Sequence, residues 1–224
     1  MSIMFAYGQR PEVGFFAGGS YYNGDINPGQ PFSNTNAGYG LVFRYNLDTR
    51  LALKLNAFRG NIGADESVHA IRPLRNAVFS GTVNDVALTG EFNFLKFFIG
   101  SSKHKASPYL FGGLGYYFYN GDYTALQGGG SYSGNGFSVP FGLGAKFSFT
   151  KTLGIAFEWG YRKTFNDGLD GLQEYYPVAE GDALFGVQMS NAATNDWYSF
   201  AGVSVTLDLS VFQDEECRDM QRNY

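Results

Sequence analysis

The sequence has little of what soluble enzymes use for chemistry. It contains one cysteine, two histidines and two tryptophans in 224 residues. A single cysteine excludes an internal disulfide framework. Charged residues make up 16% of the chain, against roughly 25% in an average soluble domain. The net charge of −4 and the lack of a basic stripe give no basis for binding nucleic acid.

Long hydrophobic runs are also missing. No run of about 18 apolar residues exists, which excludes a transmembrane helix but not a membrane-spanning barrel, whose strands have a weaker hydropathy signal. The first residues, Met1 to Gln9, are apolar and contain the small residues Ala6 and Gly8, as the end of a signal peptide does. We expect the mature chain to begin near Gln9. An ordinary disordered N-terminus is the alternative.

Glycine (31 residues), tyrosine (16) and phenylalanine (22) are abundant, and they occur in segments that alternate apolar with polar or small residues. From Tyr39 to Leu47 the odd-numbered residues are all apolar, while Gly40, Arg44 and Asn46 share the other face. This two-residue period predicts a β-strand with one apolar face. Eight strands are predicted: Val13–Tyr22, Ala37–Leu47, Leu51–Gly60, Asn84–Phe94, Pro108–Tyr119, Ser138–Phe149, Leu153–Phe165 and Trp197–Leu209.

The connectors between these strands are alternately short and long. The second and the sixth have three residues each, and the fourth, 95–107, is of medium length. The odd-numbered connectors are long and rich in Gly, Asn and Asp: 23–36, 61–83, 120–137 and 166–196. Bacterial outer-membrane barrels place short turns in the periplasm and long loops outside. The sequence therefore predicts an all-β fold, an eight-stranded antiparallel transmembrane β-barrel of outer-membrane type, surrounded by outer-membrane lipid. It spans residues 13–209, between an N-terminal segment 1–12 and a periplasmic tail 210–224, with both termini in the periplasm.

The strands of a soluble barrel with an apolar interior also alternate apolar and polar residues. The less apolar face of each strand therefore has to distinguish a soluble barrel from a membrane barrel. In a soluble barrel that face would meet water and carry many Lys, Glu and Thr side chains. In the sixth strand it holds Gly142, Gly144, Lys146 and Ser148. Small residues with a few charges fit the cramped interior of an eight-stranded barrel, which favours the membrane protein.

If the apolar face of each strand meets lipid, seven charged side chains point into the barrel. The predicted interior polar network consists of Arg44, Lys54, Glu91, Lys146, Glu158, Arg162 and Asp208. Four positive and three negative groups nearly cancel, as desolvated charges require. They form either a polar pathway through the barrel or, as we expect, an internal salt-bridge plug, because eight strands are too few for a wide aqueous channel.

Aromatic residues near the strand ends are expected to form girdles at the two membrane interfaces. The residues in question are Tyr45, Tyr109, Trp159, Tyr161, Trp197 and Tyr198. Two strands fit the pattern less well. The fifth barely alternates and cannot be oriented, and the last needs a bulge near Gly202 to bring Tyr198 and Phe200 into phase.

No residue pattern points to catalysis or to a metal. His69 and His104 lie at opposite ends of the predicted barrel and cannot share a metal, and His69 near Asp65 and Glu66 is only a weak surface candidate. No Ser, His and carboxylate grouping of the kind a lipid-modifying enzyme needs is present. The loop 167–171 lacks the oxygen-ligand spacing of a calcium loop and is better explained as a Gly-rich turn. We expect no enzyme activity, no cofactor and no metal.

The single cysteine, Cys217, lies in the charged tail after the last predicted strand. In an oxidising compartment an unpaired cysteine is a reactive thiol or one half of an intermolecular disulfide. An incidental free thiol is the alternative.

Several segments together resemble a known family. The most distinctive run is Glu158–Asp167, which contains Arg-Lys-Thr-Phe. The other segments are Gly18–Pro28, Phe32–Thr35, Tyr39–Leu47, Ser107–Gly113, Pro140–Lys146 and Asn195–Tyr198. Over Glu12 to Leu209 the chain resembles the PorG-like outer-membrane barrels of the type IX (Por) secretion system.

This resemblance implies a non-enzymatic component of a protein-export machine. Such a barrel would tether the periplasmic ring that is formed by the lipoprotein PorK and its partner PorN, and PorK would be the candidate for a mixed disulfide with Cys217. The rival interpretation is an OmpA-like barrel that acts in adhesion or ligand binding through its long loops. A lipid-modifying enzyme is a third and weaker one. The resemblance carries over no catalytic residues.

Overall fold

The chain forms one closed barrel of eight antiparallel strands. The computed structural model describes residues 10–24, 26–27, 32, 34–66, 77–125, 128–166, 168–172, 180–182 and 195–212. The strands are β1 (Arg10–Asn23), β2 (Asn36–Asn46), β3 (Leu51–Asp65), β4 (Val78–Asn93), β5 (Ala106–Ala125), β6 (Gly128–Ser148), β7 (Leu153–Thr164) and β8 (Trp197–Asp208), followed by a 3₁₀ turn at Leu209–Phe212. The predicted fold class is confirmed. No helix in these residues is long and apolar enough to cross a membrane.

Each strand pairs with its neighbour in sequence, and β1 closes the barrel against β8. We call the end with the β2–β3, β4–β5 and β6–β7 connectors the turn end, and the opposite end the loop end. β1 begins at Arg10, so the predicted N-terminal segment 1–12 is partly strand.

The outward face of the wall is apolar around the whole circumference. One side chain from each strand shows this, with exposed fractions from 46% to 63%: Phe15, Leu41, Leu55, Leu88, Leu110, Leu143, Phe157 and Val205. Water would not favour such a surface on a soluble barrel, whereas lipid does. This apolar belt rules out the soluble alternative.

The last strand is regular, and the bulge predicted near Gly202 is absent. The β1–β8 register runs without interruption from Glu12 opposite Asp208 to Asn23 opposite Trp197. Tyr198 and Phe200 are buried in the interior, on the same side as Ser204. They were in phase with the polar inner face, and the prediction was wrong because it assigned them to the apolar outer face.

The fifth strand, which the pattern could not orient, turns Tyr109, Phe111 and Tyr117 inward. Large inward rings need small neighbours. A Cβ added at Gly160 would lie 2.7 Å from the Phe111 ring. The glycine-rich inner faces of β6 and β7 thus make room for the aromatic inner face of β5. Because both faces of β5 carry apolar residues, its sequence barely alternates.

The four middle strands continue well beyond the belt at the loop end. β5 and β6 have 20 and 21 residues, whereas about 10 suffice to cross a bilayer. Much of the predicted loops 61–83 and 120–137 is therefore strand. In this extension the polarity of the wall inverts. Asn61, Ser80 and Ser133 are exposed on the outside, and an apolar cluster fills the inside.

Candidate functional site

The barrel interior at the turn end is filled by a group of ion pairs. Arg44 Nη1 lies 2.7 Å from Glu12 Oε2, and its Nε donates a hydrogen bond of 2.7 Å to Glu91. Asn46 donates to the other Glu12 oxygen at 2.7 Å. Strands β1, β2 and β4 supply these groups, because alternate residues of each strand point to the interior.

Two lysines complete this group. Lys54 Nζ donates to both oxygens of Glu158 at 2.9 Å, and Lys146 Nζ donates to Glu91 at 2.5 Å. Tyr109 donates to Glu158 at 2.5 Å and lies against Lys146, whose Nζ is 4.4 Å from the ring centroid. All five side chains are buried. We call these residues, with Glu12 and Arg44, the inner ion network.

A second ion pair lies nearer the loop end. Arg162 Nη2 is 3.3 Å from Asp85 Oδ1, and Tyr198 donates to Asp85 at 2.8 Å. The guanidinium also lies 4.4 Å from the centre of the Phe200 ring. The carboxylate matched to Arg162 is therefore Asp85, not its strand neighbour Glu158.

A layer of apolar side chains separates the two charged groups. It consists of Phe16, Val42, Phe58, Phe111, Ala156 and Phe200, and the Tyr109 ring of the inner ion network packs against it. A void of about 10 Å³ beside Phe16, Phe58 and Phe200 has room for about one water molecule. Such packing leaves little room for water between the two charged groups.

The charges of the inner ion network and of the second pair balance each other. Across the inner network and the second pair, four cations (Arg44, Lys54, Lys146, Arg162) face four carboxylates (Glu12, Asp85, Glu91, Glu158). Because each desolvated charge has a partner, the arrangement suits a structural plug.

The structure places all seven predicted network residues in the interior, where they are buried, but Asp208 stands apart. It pairs with Arg10 at 3.4 Å near the turn end. Sequence reasoning missed Glu12, which precedes the predicted first strand, and Asp85. Asp85 could have been predicted, because it lies an even number of residues from Glu91 on the same strand and must therefore point to the same face.

Four of the predicted interfacial aromatics face outward and two do not. Tyr45, Trp159, Tyr161 and Trp197 are partly exposed on the outer surface. Tyr109 and Tyr198 are 1% and 0% exposed inside the barrel, so the prediction is wrong for these two. Trp197 and Tyr198 are adjacent in one strand and must point to opposite faces.

The turn end is closed by the β4–β5 connector, which folds across the barrel mouth. Phe97 and Ile99 are buried there. The Phe97 N–H donates to Thr49 O at 2.9 Å, and the Gly100 N–H donates to Ser148 Oγ at 2.9 Å. The connector is thereby tied to both of the other turns, so this end is a single folded surface.

This surface is strongly basic. Exposed cations of the three turns are Arg50, Lys96, Lys103, Lys105 and Lys151. The exposed carboxylate among the described residues of these turns is Asp48, whose Oδ1 accepts from the Leu51 N–H at 2.9 Å. We call these five cations the turn-end basic surface. It has a net positive charge and can attract a negatively charged partner.

At the loop end, buried polar groups join the extension to the first and last loops. Tyr22 donates to Asp170 at 3.0 Å and also to Asp196. Ile26, Leu169 and Leu172 are buried in the apolar cluster of the extension. No group of His, Cys, Asp and Glu that could hold a metal occurs among the described residues. His69, Asp167 and Cys217 lie outside them.

Comparison with known proteins gives a family and a fold. The family model for DUF6089, described as a domain of unknown function, matches residues 1–218. The chain belongs to the DUF6089 family. No curated protein matches it. Ail of Yersinia pestis, solved in complex with the heparin analogue sucrose octasulfate, has a TM-score of 0.50 at 14% identity, covering 90% of this chain and 99% of Ail.

Neisserial surface protein A (NspA) is similar to the same degree. Its TM-score is 0.51 at 10% identity, with 89% of this chain and 97% of NspA covered. At such low identity the likeness establishes the fold alone. This DUF6089 chain therefore has the fold of the small eight-stranded outer-membrane barrels.

Proposed function

We propose that this DUF6089 protein is a non-enzymatic outer-membrane component of the type IX secretion machinery that anchors the periplasmic PorK/PorN ring. The observation that carries the proposal is the contrast between a closed interior and a folded, basic turn end. In the described part of the barrel, ion pairs and apolar side chains fill the interior, which does not favour transport through it. Its function then depends on what its ends and outer surface bind.

The orientation in the membrane is part of this proposal. Short turns face the periplasm in outer-membrane barrels. The turn end, with the connectors 47–50 and 149–152, would therefore face the periplasm, as would both termini. The turn-end basic surface is then presented to the periplasmic ring.

A folded surface is well suited to anchoring. Ordering flexible loops on binding costs free energy, and the hydrogen bonds between the three turns reduce that cost in advance. The exposed cations Lys96, Lys103, Lys105 and Lys151 would attract an acidic patch on a ring subunit and set its orientation. Because the cations are exposed, this attraction should weaken as salt is added.

The sequence run that most resembles the PorG-like barrels has a structural role here. Glu158 and Arg162 belong to the buried charges, and the Trp159 indole donates to Tyr21 at 2.9 Å. Lys163 Nζ lies 5.7 Å from the centre of a Trp197 ring. The residues of this run therefore build the wall and the interior of the barrel, and the secretion role is supported by the sequence resemblance itself.

The rival function is adhesion or ligand binding at the loop end, which the rigid extension favours. Ail was solved with a polyanionic heparin analogue. The loop end described here carries exposed Asp122, Glu180 and Asp182 against Arg59 and Lys163. This balance does not favour a polyanion, so the secretion role remains our proposal.

A crosslinking pull-down from native membranes tests the anchor. PorK and PorN should co-purify with the wild-type chain. Changing Lys96, Lys103, Lys105 and Lys151 together to Gln should lower their recovery at least about tenfold, since each exposed ion pair contributes up to about 1 kcal/mol. The control, Arg59→Gln with Lys163→Gln, removes cations from the loop end and should leave recovery unchanged. Equal recovery with the fourfold variant would refute the basic surface as the contact.

Cys217 lies outside the described residues, and its mixed disulfide with PorK remains a proposal. The same pull-down, run on non-reducing gels, addresses it. A heavier band should collapse with reductant and be missing in Cys217→Ser. A wild-type chain that runs only as a monomer, with a thiol that alkylates readily in intact membranes, would rule out the covalent tether but not the ionic contact.

A further inference from the structure

The upper part of β6 has one paired edge and one open edge. Toward β5 the pairing runs without a partner change to Ala125 opposite Gly128. Toward β7 it stops at Ser138 opposite Thr164. Residues 128–137 therefore have no strand on that side within the part of the chain that the structure describes. We call this stretch the open β6 edge.

The edge is open because the chain leaves the wall after β7. Thr164 Oγ1 donates to the carbonyls of Asn166, at 3.0 Å, and of Asp196. Leu169 and Leu172 then turn into the apolar cluster, and Tyr132 of β6 donates to the Leu169 carbonyl at 2.8 Å. The chain after β7 thus packs behind β6 instead of alongside it.

The open β6 edge lacks the usual protection against strand pairing. Natural edge strands carry lysine, proline or inward-pointing charges that prevent edge-to-edge association. Residues 128–137 contain no charged residue and no proline. Two of their polar side chains are engaged with β5: Ser131 donates to Asp122 at 2.6 Å and Asn135 accepts from Tyr116 at 2.7 Å. The groups that this edge presents to a partner are therefore mainly its backbone N–H and C=O groups on the side away from β5.

We infer that the open β6 edge is a docking site for an extended polypeptide segment of another protein, which adds to the wall as a strand. The backbone chemistry selects this partner, because a row of alternating N–H and C=O groups is matched by another strand. Lipid cannot supply such partners. Ser131 and Ser133 are exposed polar residues, which places this part of the stretch beyond the apolar belt, whereas the exposed Phe137 adjoins the belt.

The surroundings also specify the side chains of the partner. A strand in the place of β7 would turn alternate residues toward the apolar cluster beside Tyr132 and Tyr119 and the others toward water. Gly134 and Gly136 leave no free space on the inner side of β6, because the Tyr119 and Tyr117 rings fill it. Apolar residues of the partner strand, such as β-branched ones, would pack against these rings and the cluster. The expected ligand is an uncharged segment that alternates such residues with polar ones.

Hydrogen–deuterium exchange on the full chain in detergent micelles tests this inference. In the absence of ligand, alternate amides of residues 128–137 should exchange at least about tenfold faster than those of Phe141–Phe147, which are paired with both β5 and β7. A synthetic peptide of alternating threonine and valine should slow exchange at those amides of residues 128–137 at least about tenfold and leave Phe141–Phe147 unchanged. Slow exchange without peptide, whether from the chain itself or from a second copy, would overturn the inference.

Two matched lysine variants locate the peptide. Ser133 and Asn120 are opposite each other in the β5–β6 register, and both are exposed on the outer face, but only Ser133 borders the open edge. Ser133→Lys should weaken binding of the fluorescent peptide about tenfold, and Asn120→Lys by less than about twofold. Heat-dependent gel mobility verifies that both variants fold. Equal weakening, or no peptide binding by the wild type, would contradict the proposed site.

Discussion

Replacing Arg162 by methionine should destabilise the folded barrel by about 3–5 kcal/mol, because it leaves Asp85 as an unpaired charge in a buried site. Arg162 and Asp85 are 1% and 2% exposed, so water cannot compensate. The contact between the guanidinium and the Phe200 ring is lost as well. Urea unfolding in detergent micelles, followed by tryptophan fluorescence and heat-dependent gel mobility, measures the change.

A double-mutant cycle identifies the partner of Arg162. Arg162→Met combined with Asp85→Asn should recover much of the stability, because the remaining amide can still accept the hydrogen bond from Tyr198 and no charge is left over. Arg162→Met combined with Glu158→Gln should recover none, since Glu158 belongs to Lys54 and Tyr109. Recovery through Glu158 instead of Asp85 would show that the pairing described here is wrong.

Leu41→Arg should impair membrane insertion by about 2–4 kcal/mol, the cost of arginine near the midplane of a barrel's lipid face. Leu41 is 63% exposed and lies near the middle of the outward apolar residues of β2. Folding into lipid vesicles over a urea series gives the free energy.

The matched control for that variant is Ser80→Arg on β4. Ser80 is also exposed on the outer face, but it belongs to the extension beyond the belt, where the cost should fall to about 0–1 kcal/mol. Equal costs at Leu41 and Ser80 would mean that the apolar belt does not mark the lipid boundary.

The alternation of β2 is enough to predict its strand and its two faces, because Tyr39, Leu41, Tyr45 and Leu47 each follow a polar or small residue and, of the odd-numbered residues, only Phe43 follows an apolar one, Val42. The same reasoning failed for β5 and β8, where aromatic residues such as Phe111 and Phe200 face inward. An interior with two charged groups needs an apolar layer between them, and a rule that assigns every aromatic residue to lipid misplaces that layer.

The extension was missed for a different reason. Its outer face consists mostly of Asn, Ser, Thr, Asp and Gly, which is the composition of loops, and its apolar residues mostly face inward. The alternation of Phe79, Gly81 and Val83 was present in the sequence, but with inverted polarity. The alternation of inward and outward residues predicted which charges are buried. The choice of partners, such as Asp85 for Arg162, depends on how the eight strands are staggered around the barrel.

Secretion itself is the most direct test of the anchoring role. In the native bacterium, deletion of this chain should abolish export of type IX cargo to the cell surface and medium. The wild-type chain and the Arg59→Gln, Lys163→Gln variant should restore export, and the variant with Lys96, Lys103, Lys105 and Lys151 changed to Gln should not. Normal export in the deletion strain, with altered binding at the cell surface, would contradict the anchor and favour the adhesion barrel.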